Sequence, residues 1–313
     1  LSFVTKYKLA QEQGIKLIFG VEAYIVDDLS YRERGQKRYH LLLLAKNTQG
    51  FQNLKKLISE SYTPQNFYYK PRIDINILKK YAKGLICTTG CLAAQVPQAL
   101  MHNDMDKARS IIKQYKAIFG DDYYIELQNH GIQEQLDILP RLIELGEELN
   151  VKCIASNDAH YLTKDDARAQ EVMLCIQTKT TTHDEKRMKF ETNEFYVKSE
   201  EEMRQVMQSC PQAVANTQEV ADKCNIELSL GTPIFPYFDV PNGLTDEEYL
   251  RQLCKKGLEY RYQGKDNYDQ AKERMEFELS VIIKMGFAKY FLIVHDFIEA
   301  AKDMCQVGPG RGS

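Results

Sequence analysis

The chain has 313 residues, of which 43% are hydrophobic and 27% charged, and it contains no tryptophan. This is the composition of a globular protein, long enough for about two domains of roughly 100–200 residues each. A chain of this size can fold without disulfides or a structural metal. Its 41 lysines and arginines against 44 aspartates and glutamates leave a net charge of −3. Overall charge therefore excludes a strongly basic nucleic-acid-binding protein but not a local basic groove.

Other compositional features indicate a cytoplasmic protein. No apolar run approaches the roughly 18–20 residues of a membrane span, and the chain does not open with a signal-peptide pattern. The eight scattered cysteines are expected to be free thiols or metal ligands. Because the chain starts at Leu1 without a methionine and stops at Ser313 within a glycine-rich run, we expect a fragment cut at both ends.

In chain order, the first half alternates predicted strands with predicted helices. Five segments rich in apolar, aromatic or β-branched residues are predicted as strands: 15–26, 39–45, 84–88, 123–127 and 151–155. Helical periodicity predicts helices over 49–60, 104–119 and 133–149, and Gly120 stands where a helix-ending glycine belongs. The charged segment 27–38 is predicted to be a solvated loop. This alternation favours a parallel, barrel-like α/β domain.

The pattern changes after about residue 199. Residues 200–225 are predicted to be helical, and the proline-containing segment 230–242 is predicted to separate two packing units. Helices are expected over 245–262 and 268–285, the first opened by Thr245 and Glu248 at the spacing of a capping box. Residues 245–313 should therefore be largely helical apart from the terminal loop.

Two pairs of residues have the chemistry of a metal site. Asp158 and His160 follow a predicted strand and, two apart in an extended chain, would point the same way. The alternative is that Asp158 caps the next helix and His160 bonds to it. Glu22 lies in an apolar strand, where an unpaired carboxylate is costly, and an antiparallel hairpin would bring His40 near Glu22 and Tyr24. The alternative is a surface glutamate at a sheet edge and a satisfied histidine.

Cysteine and glycine positions add two further candidates. Cys91, just past the strand at 84–88, could be a soft ligand, whereas a structural role is expected for Cys87 and the other cysteines. His102, His130, His183 and His295 are expected to be solvated or structural. The terminal run Val307–Ser313 (VGPGRGS) could face phosphate with its backbone amides and Arg311. A generic glycine turn is the alternative, and the run does not match the P-loop pattern.

Several of these segments occur together in one known family. Residues 20–24 (GVEAY), 40–47 (HLLLLAKN), 69–74 (YKPRID), 90–92 (GCL) and 156–162 (SNDAHYL) resemble successive motifs of the polymerase-and-histidinol-phosphatase (PHP) domain in the alpha subunits of bacterial replicative DNA polymerase III. Residues 285–313 resemble the segment that enters the palm of those C-family polymerases. The resemblance spans nearly the whole chain in the right order.

The resemblance implies a fold and a set of site residues. It implies a PHP-type distorted (β/α) barrel over 1–228, lacking its N-terminal part, and a linker with the start of a polymerase palm over 229–313. The implied metal ligands are Glu22, His40, Cys91, Asp158 and His160, holding Zn²⁺ or Mn²⁺, and every one is a ligand-type residue here although some family members have lost these metals. The implied nucleotide-phosphate loop comprises Gly310, Arg311, Gly312 and Ser313.

The resemblance also implies an activity for the whole protein. That activity is template-directed DNA synthesis by two-metal phosphoryl transfer, with Mg²⁺, primer-template DNA, deoxynucleotides, a sliding clamp and other replisome subunits as partners. The PHP domain could add a metal-dependent 3′–5′ exonuclease. The family's first histidine motifs should precede Leu1 and its palm carboxylates should follow Ser313. We therefore expect residues 1–313 alone to be inactive, with weak or partial metal loading.

Two other functions are compatible with these residues. The chain could be a free-standing PHP phosphatase acting on a small phosphoester. The terminal glycine loop and the helical segment before it argue against this, because such a phosphatase would not need them. Alternatively, the PHP domain could be a scaffold without chemistry of its own. Metal content distinguishes the scaffold from the two enzymes.

Overall fold

The computed structural model describes residues 3–231 and 233–308. It divides the chain into two compact units, one ending at Leu228 and the other beginning at Ser229. About half of the described residues are helical. Within the described ranges, none of the helices combines the length and apolar character needed to cross a membrane. All eight cysteines are free thiols.

A mixed five-stranded sheet organises the first unit. Its strands lie side by side in chain order and are β1 (Gly20–Ile25), β2 (Tyr39–Ala45), β3 (Leu85–Thr88), β4 (Tyr123–Leu127) and β5 (Cys153–Ala155). Strand β2 pairs antiparallel with both β1 and β3, whereas β3, β4 and β5 run parallel. Four strands therefore have their carboxyl ends on the same side of the sheet, namely β1, β3, β4 and β5, and β2 begins on that side.

The sheet corrects the expectation of an all-parallel arrangement. Parallel neighbours need a crossover of a dozen or more residues, usually helical, and such connections precede β4 and β5. The connection between β1 and β2 is irregular over residues 26–38, so these strands form the antiparallel hairpin considered from the sequence. Helix α2 (Thr48–Ser61) and helix α3 (Ile75–Tyr81) lie between β2 and β3, which nevertheless pair antiparallel.

Helices cover the sheet and complete the first unit. The remaining helices are α1 (Phe3–Glu12), α4 (Gln95–Met101), α5 (Met105–Phe119), α6 (Gln133–Leu149), α7 (Ala167–Thr178), α8 (Glu200–Val206) and α9 (Pro211–Lys223). The predicted helix over 104–119 is confirmed, with Asp104 capping its start and Gly120 at φ 58° at its end. The helix predicted over 200–225 is two helices, α8 and α9, with a break at residues 207–210.

The two faces of the sheet have different neighbours. Odd-numbered residues of β3, β4 and β5, such as Cys87, Ile125 and Ala155, pack into the main hydrophobic core with α2, α5 and α6. Even-numbered residues, such as Ile86, Tyr124 and Ile154, form a second cluster with Val220 and Cys224 of the α9 region. Strand alternation therefore assigns every strand residue to one face by its parity.

The second unit is a small helical assembly. Its helices are α10 (Asp246–Tyr262), α11 (Tyr268–Lys284) and α12 (Ala288–Lys302), and their core contains Leu250, Leu279, Ala288 and Leu292. The predicted capping box is present, because the Thr245 hydroxyl accepts from Glu248 N and the Glu248 carboxylate accepts from Thr245 N. Residues 229–240 have no regular structure in their described part and are largely exposed.

Helix α2 and the start of β3 approach each other so closely that only glycine fits at Gly50. A β-carbon built there would lie 1.8 Å from the carbonyl oxygen of Gly84. We expect Gly50→Ala to lower the free energy of unfolding by about 2–3 kcal/mol, because the clash is with backbone. Urea unfolding followed by circular dichroism measures this.

Gly257 in α10 is the matched control for that substitution. A β-carbon there would contact the tip of the flexible Arg261 side chain at 2.9 Å. Because alanine is the better helix former, Gly257→Ala should be neutral or stabilising by about 0.5–1 kcal/mol. Equal stability of the wild type and Gly50→Ala would contradict the close approach.

Candidate metal centre at the ends of the strands

The register of the β1–β2 hairpin brings the first candidate pair together. Tyr24 lies opposite His40, and Glu22 lies opposite Leu42, so all four side chains share one face of the sheet. Leu44 on the same face packs into the second cluster with Ile86 of β3. Glu22 and His40 therefore lie on the face formed by even-numbered residues, near the end of β1 and the beginning of β2.

Cys91 reaches the same point from the loop after β3. Gly90 adopts φ 72°, a conformation that favours glycine, and turns the chain beside the start of β2. The backbone N–H of His40 donates to the carbonyl of Ala93 at 3.3 Å, which holds this loop against β2. The hairpin and the loop after β3 thus meet at His40.

The three polar groups of this meeting point are in contact. His40 Nδ1 lies 2.8 Å from Glu22 Oε1 and 3.4 Å from Cys91 Sγ. One ligand atom from each residue can be chosen so that all lie within 4.8 Å of one another. Glu22 is 58% exposed at its side chain, which agrees with the alternative of a surface glutamate at a sheet edge, although the carboxylate is paired with His40. Strand β1, which carries Glu22, is an outermost strand of the sheet.

These contacts perturb the acid–base behaviour of the pair. Hydrogen bonds with Cys91 and with Glu22 raise the pKa of His40 to about 10, against a smaller opposing effect of burial. The hydrogen bond from His40 likewise holds the pKa of Glu22 below its usual range, with smaller contributions from the charges of His40 and His160. Both contacts therefore favour the protonated form of the His40 imidazole.

The donor set fits a divalent metal ion. Carboxylate oxygen, imidazole nitrogen and thiol sulfur are the ligand types of zinc, which binds them at roughly 2.0–2.3 Å. Both short contacts meet at Nδ1 of His40, so one ion placed among the three groups would take the place of the proton they share. A thiolate ligand favours zinc over manganese, whereas a carboxylate suits either.

Asp158 and His160 lie near each other but outside this three-residue group. Asp158 adopts φ 42°, so the chain has already left the extended conformation, and the strand-alternation argument for this pair is wrong. His160 Nδ1 nevertheless lies 2.7 Å from the carbonyl oxygen of Asp158 and 3.9 Å from its carboxylate. Thr163, not Asp158, caps the next helical turn. The charge of His160 makes the smallest of the contributions that lower the pKa of Glu22.

Aromatic rings and a buried histidine support the Asp158 turn. The ring of His160 packs on Phe190 at 4.8 Å and on Phe195 at 5.7 Å between centroids. The ring of His130 also stacks on Phe195 at 4.1 Å, and its Nε2 lies 2.7 Å from the carbonyl oxygen of Asn157. His130 is buried, so of the two roles expected for it the structure shows the structural one.

The proposed phosphate loop lies almost wholly outside the described residues. Of the run 307–313, the structure describes only Val307 and Gly308. The prediction for Gly310, Arg311, Gly312 and Ser313 therefore stays a prediction.

Comparisons with known proteins agree with the motifs. Residues 1–130 match the PHP domain, and residues 248–313 match the bacterial DNA polymerase III alpha NTPase domain. Over 98% of its length the chain is 45% identical to the DNA polymerase III subunit alpha of Borreliella burgdorferi and 41% identical to that of Treponema pallidum. The corresponding identity with the Thermus aquaticus subunit is 36%.

The chain belongs to the bacterial DNA polymerase III alpha family. It spans only 26–30% of the length of these three relatives.

The PHP-containing unit also holds a buried carboxylate that the sequence analysis did not single out. Glu126 of β4 is buried and accepts hydrogen bonds from Thr88 of β3, from Ser156 after β5 and from Gln128. Glu126 lies on the same face of the sheet as Glu22 and His40, near the carboxyl ends of the parallel strands. A glutamate inside the otherwise apolar run YYIEL was the signal that could have found it.

Glu126 joins the strand ends that lead to Cys91 and to Asp158. Glu126→Ala should therefore lower the free energy of unfolding by at least about 2 kcal/mol, because buried hydroxyl and amide groups lose their acceptor. Denaturant titration measures this. The exposed Glu144→Ala on α6 is the control and should change stability by less than about 0.5 kcal/mol. A similarly small effect at Glu126 would contradict a linking role.

Proposed function

We propose that the first unit is a PHP-type, metal-dependent phosphoesterase module within a replicative DNA polymerase, and that its sheet is part of a distorted PHP barrel. The observation that carries this proposal is the convergence of Glu22, His40 and Cys91 on one point at the strand ends. Similarity to DNA polymerase III subunit alpha over 98% of the chain supports the choice of family.

The proposed centre gives each residue a defined task. Glu22, His40 and Cys91 would hold a divalent ion, Zn²⁺ or Mn²⁺, and Asp158 and His160 would be further ligands from the turn after β5. The ion would supply Lewis-acid chemistry toward a phosphodiester. His130 supports the turn at Asp158 by its contact with the carbonyl of Asn157. Glu126 accepts hydrogen bonds from Thr88 and Ser156 and so supports the turns that follow β3 and β5.

We further propose that this centre is a 3′–5′ exonuclease. A site built from a carboxylate, an imidazole and a thiol at the exposed end of a sheet is open to a polymer substrate, since Glu22 and His160 are both accessible. A free-standing phosphatase is less well supported, because residues 248–313 match a polymerase segment. A scaffold that binds no metal would not explain why the ligand-type groups of Glu22, His40 and Cys91 lie together.

The whole protein is proposed to be a cytoplasmic DNA-directed DNA polymerase. Relatives of this chain are DNA polymerase III alpha subunits, which supports template-directed addition of deoxynucleotides by two-metal phosphoryl transfer with Mg²⁺. The helical second unit would then lead into the palm. Primer-template DNA, deoxynucleotides, a sliding clamp and other replisome subunits are the proposed partners, and Gly310–Ser313 would contact the phosphates of the incoming nucleotide.

Metal titration tests the proposed centre directly. We expect the purified chain to bind Zn²⁺ in calorimetry, and Cys91→Ala or His40→Ala to weaken that binding by at least about ten-fold, since even loss of a supporting residue costs about 10–100-fold. The control variants are Cys305→Ala and His102→Ala, whose side chains are exposed and do not belong to the three-residue group. Unchanged zinc affinity in Cys91→Ala and His40→Ala would refute the centre.

Nucleotide use tests the proposed phosphate loop in the whole polymerase. Arg311→Ala should reduce nucleotide incorporation by the equivalent of about 1.5–3 kcal/mol, the contribution of a charged hydrogen bond. Affinity for primer-template DNA and metal content of the PHP centre should stay unchanged. Steady-state incorporation kinetics beside DNA affinity measure this. If only DNA affinity falls, or nothing changes, the loop is a structural turn.

A further inference from the structure

Two irregular segments of the first unit form one surface beside the candidate metal centre. We call the surface formed by residues 29–38 and 62–73 the basic aromatic surface. Within it, residues 29–38 contain four basic residues and one acidic residue, and residues 62–73 contain two basic residues and none that are acidic. Apart from the buried Arg72, five basic side chains reach solvent here, against one acidic side chain: Arg32, Arg34, Lys37, Arg38 and Lys70 against Glu33. Asp27, Asp28 and Asp74 border the two segments, so the excess of positive charge is confined to the segments themselves.

A buried arginine fixes the two segments to each other. Arg72 is fully buried, and its guanidinium donates to the carbonyl oxygens of Leu29, Tyr31 and Asn66 and to the side chain of Gln36. Arg32 crosses in the opposite direction and donates to Pro64 O at 2.7 Å and to Gln65 O. Hydrogen bonds from Arg72 and Arg32 to backbone carbonyls therefore hold the two segments together.

Aromatic rings project from this fixed backbone into solvent. The exposed fractions are 59% for Tyr62, 41% for Phe67 and 64% for Tyr69. Tyr62 and Phe67 stack with centroids 5.9 Å apart and an interplanar angle of 26°. Tyr69 adopts φ 57°, a strained conformation for a tyrosine, and packs edge-on against Tyr68 at 4.7 Å. Exposed stacked rings among basic side chains are the arrangement used to bind single-stranded nucleic acid.

The same surface is attached to the strand that carries Glu22. Val26 N donates to Ile73 O, and Ile73 N donates to Tyr24 O, both at 2.9 Å. Tyr24 lies opposite His40, and the ring centroids of these two residues are 5.3 Å apart. Residues 29–38 belong to the loop that joins the strands of Glu22 and His40. The basic aromatic surface is therefore joined directly to the strand pair that carries Glu22 and His40.

We propose that the basic aromatic surface binds single-stranded DNA, with bases stacked on Tyr62, Phe67 and Tyr69 and phosphates near Arg34, Lys37 and Lys70. The choice of DNA over RNA rests on the proposed function. Stacking tolerates any base because every base has a π face, so binding should depend little on sequence. The surface would deliver a single strand, rather than a duplex, to the centre.

Fluorescence anisotropy with a labelled oligothymidine of about 16 nucleotides tests this at low salt in EDTA. We expect the wild-type chain to bind it, and Tyr62→Ala/Phe67→Ala to weaken binding by at least about ten-fold. The ring-preserving variant Tyr62→Phe/Phe67→Tyr should bind like the wild type. Arg34→Ala/Lys37→Ala should reduce the slope of log affinity against log salt by about 1.4, at about 0.7 per phosphate contact.

Matched controls separate this surface from general charge and exposure. Tyr237→Ala removes an exposed ring outside the first unit, and Lys107→Ala/Lys113→Ala removes two exposed charges on α5. Both should bind like the wild type, and thermal melting should show that every variant is folded. A matching duplex should bind more weakly, because its bases are already stacked.

Three results would overturn the proposal. They are absence of oligothymidine binding by the wild type, wild-type binding by Tyr62→Ala/Phe67→Ala, and equal losses in the control variants. In the first case the rings would mark a protein contact instead, since tyrosine and arginine also dominate protein interfaces. Because EDTA is present, failure of the metal centre leaves this result intact, and failure of DNA binding leaves the zinc titration intact.

Discussion

The pairing register of the β1–β2 hairpin is the constraint on which the candidate centre depends. Because side chains alternate along a strand, a slip by one residue would move Glu22 and His40 to opposite faces. The observed register places Glu22, Tyr24 and His40 on the face that carries Ile86 and Tyr124 in the neighbouring strands. The apolar residues of the other face are buried in the main core, so burial there enforces the register.

Buried polar groups connect this register to the turns that carry the other candidate ligands. Glu126 links the ends of β3, β4 and β5 through hydroxyl and amide donors, and His130 holds the carbonyl of Asn157. Hydrogen bonds inside a protein are stronger than in water and costly to leave unmade, so such networks favour one arrangement of the chain. The accessible residues of the centre thus stand on a support that is itself shielded from solvent.

The distribution of charge is more informative than its total. A net charge of −3 conceals a surface on which the charged residues of segments 29–38 and 62–73 are mostly basic. The two segments of that surface are held together by the buried guanidinium of Arg72, which donates hydrogen bonds to backbone carbonyl groups of both segments. A buried cation satisfied by backbone oxygens is costly to disturb, since removal of the arginine would leave several buried acceptors without a donor.

Periodicity in the sequence determined most elements, because hydrophobic spacing reports local burial. It predicted β2 and β4 with their observed bounds and helix α5 with the glycine that ends it, and it left open the hairpin that brings His40 to Glu22. Motif resemblance determined the family and the candidate ligands. Tertiary structure alone decided that β2 runs antiparallel to β3, that Glu22 is exposed, and that Asp158 leaves the extended conformation. These features depend on contacts between residues distant in the chain, such as Thr88 with Glu126 and His130 with Asn157, which local patterns do not encode.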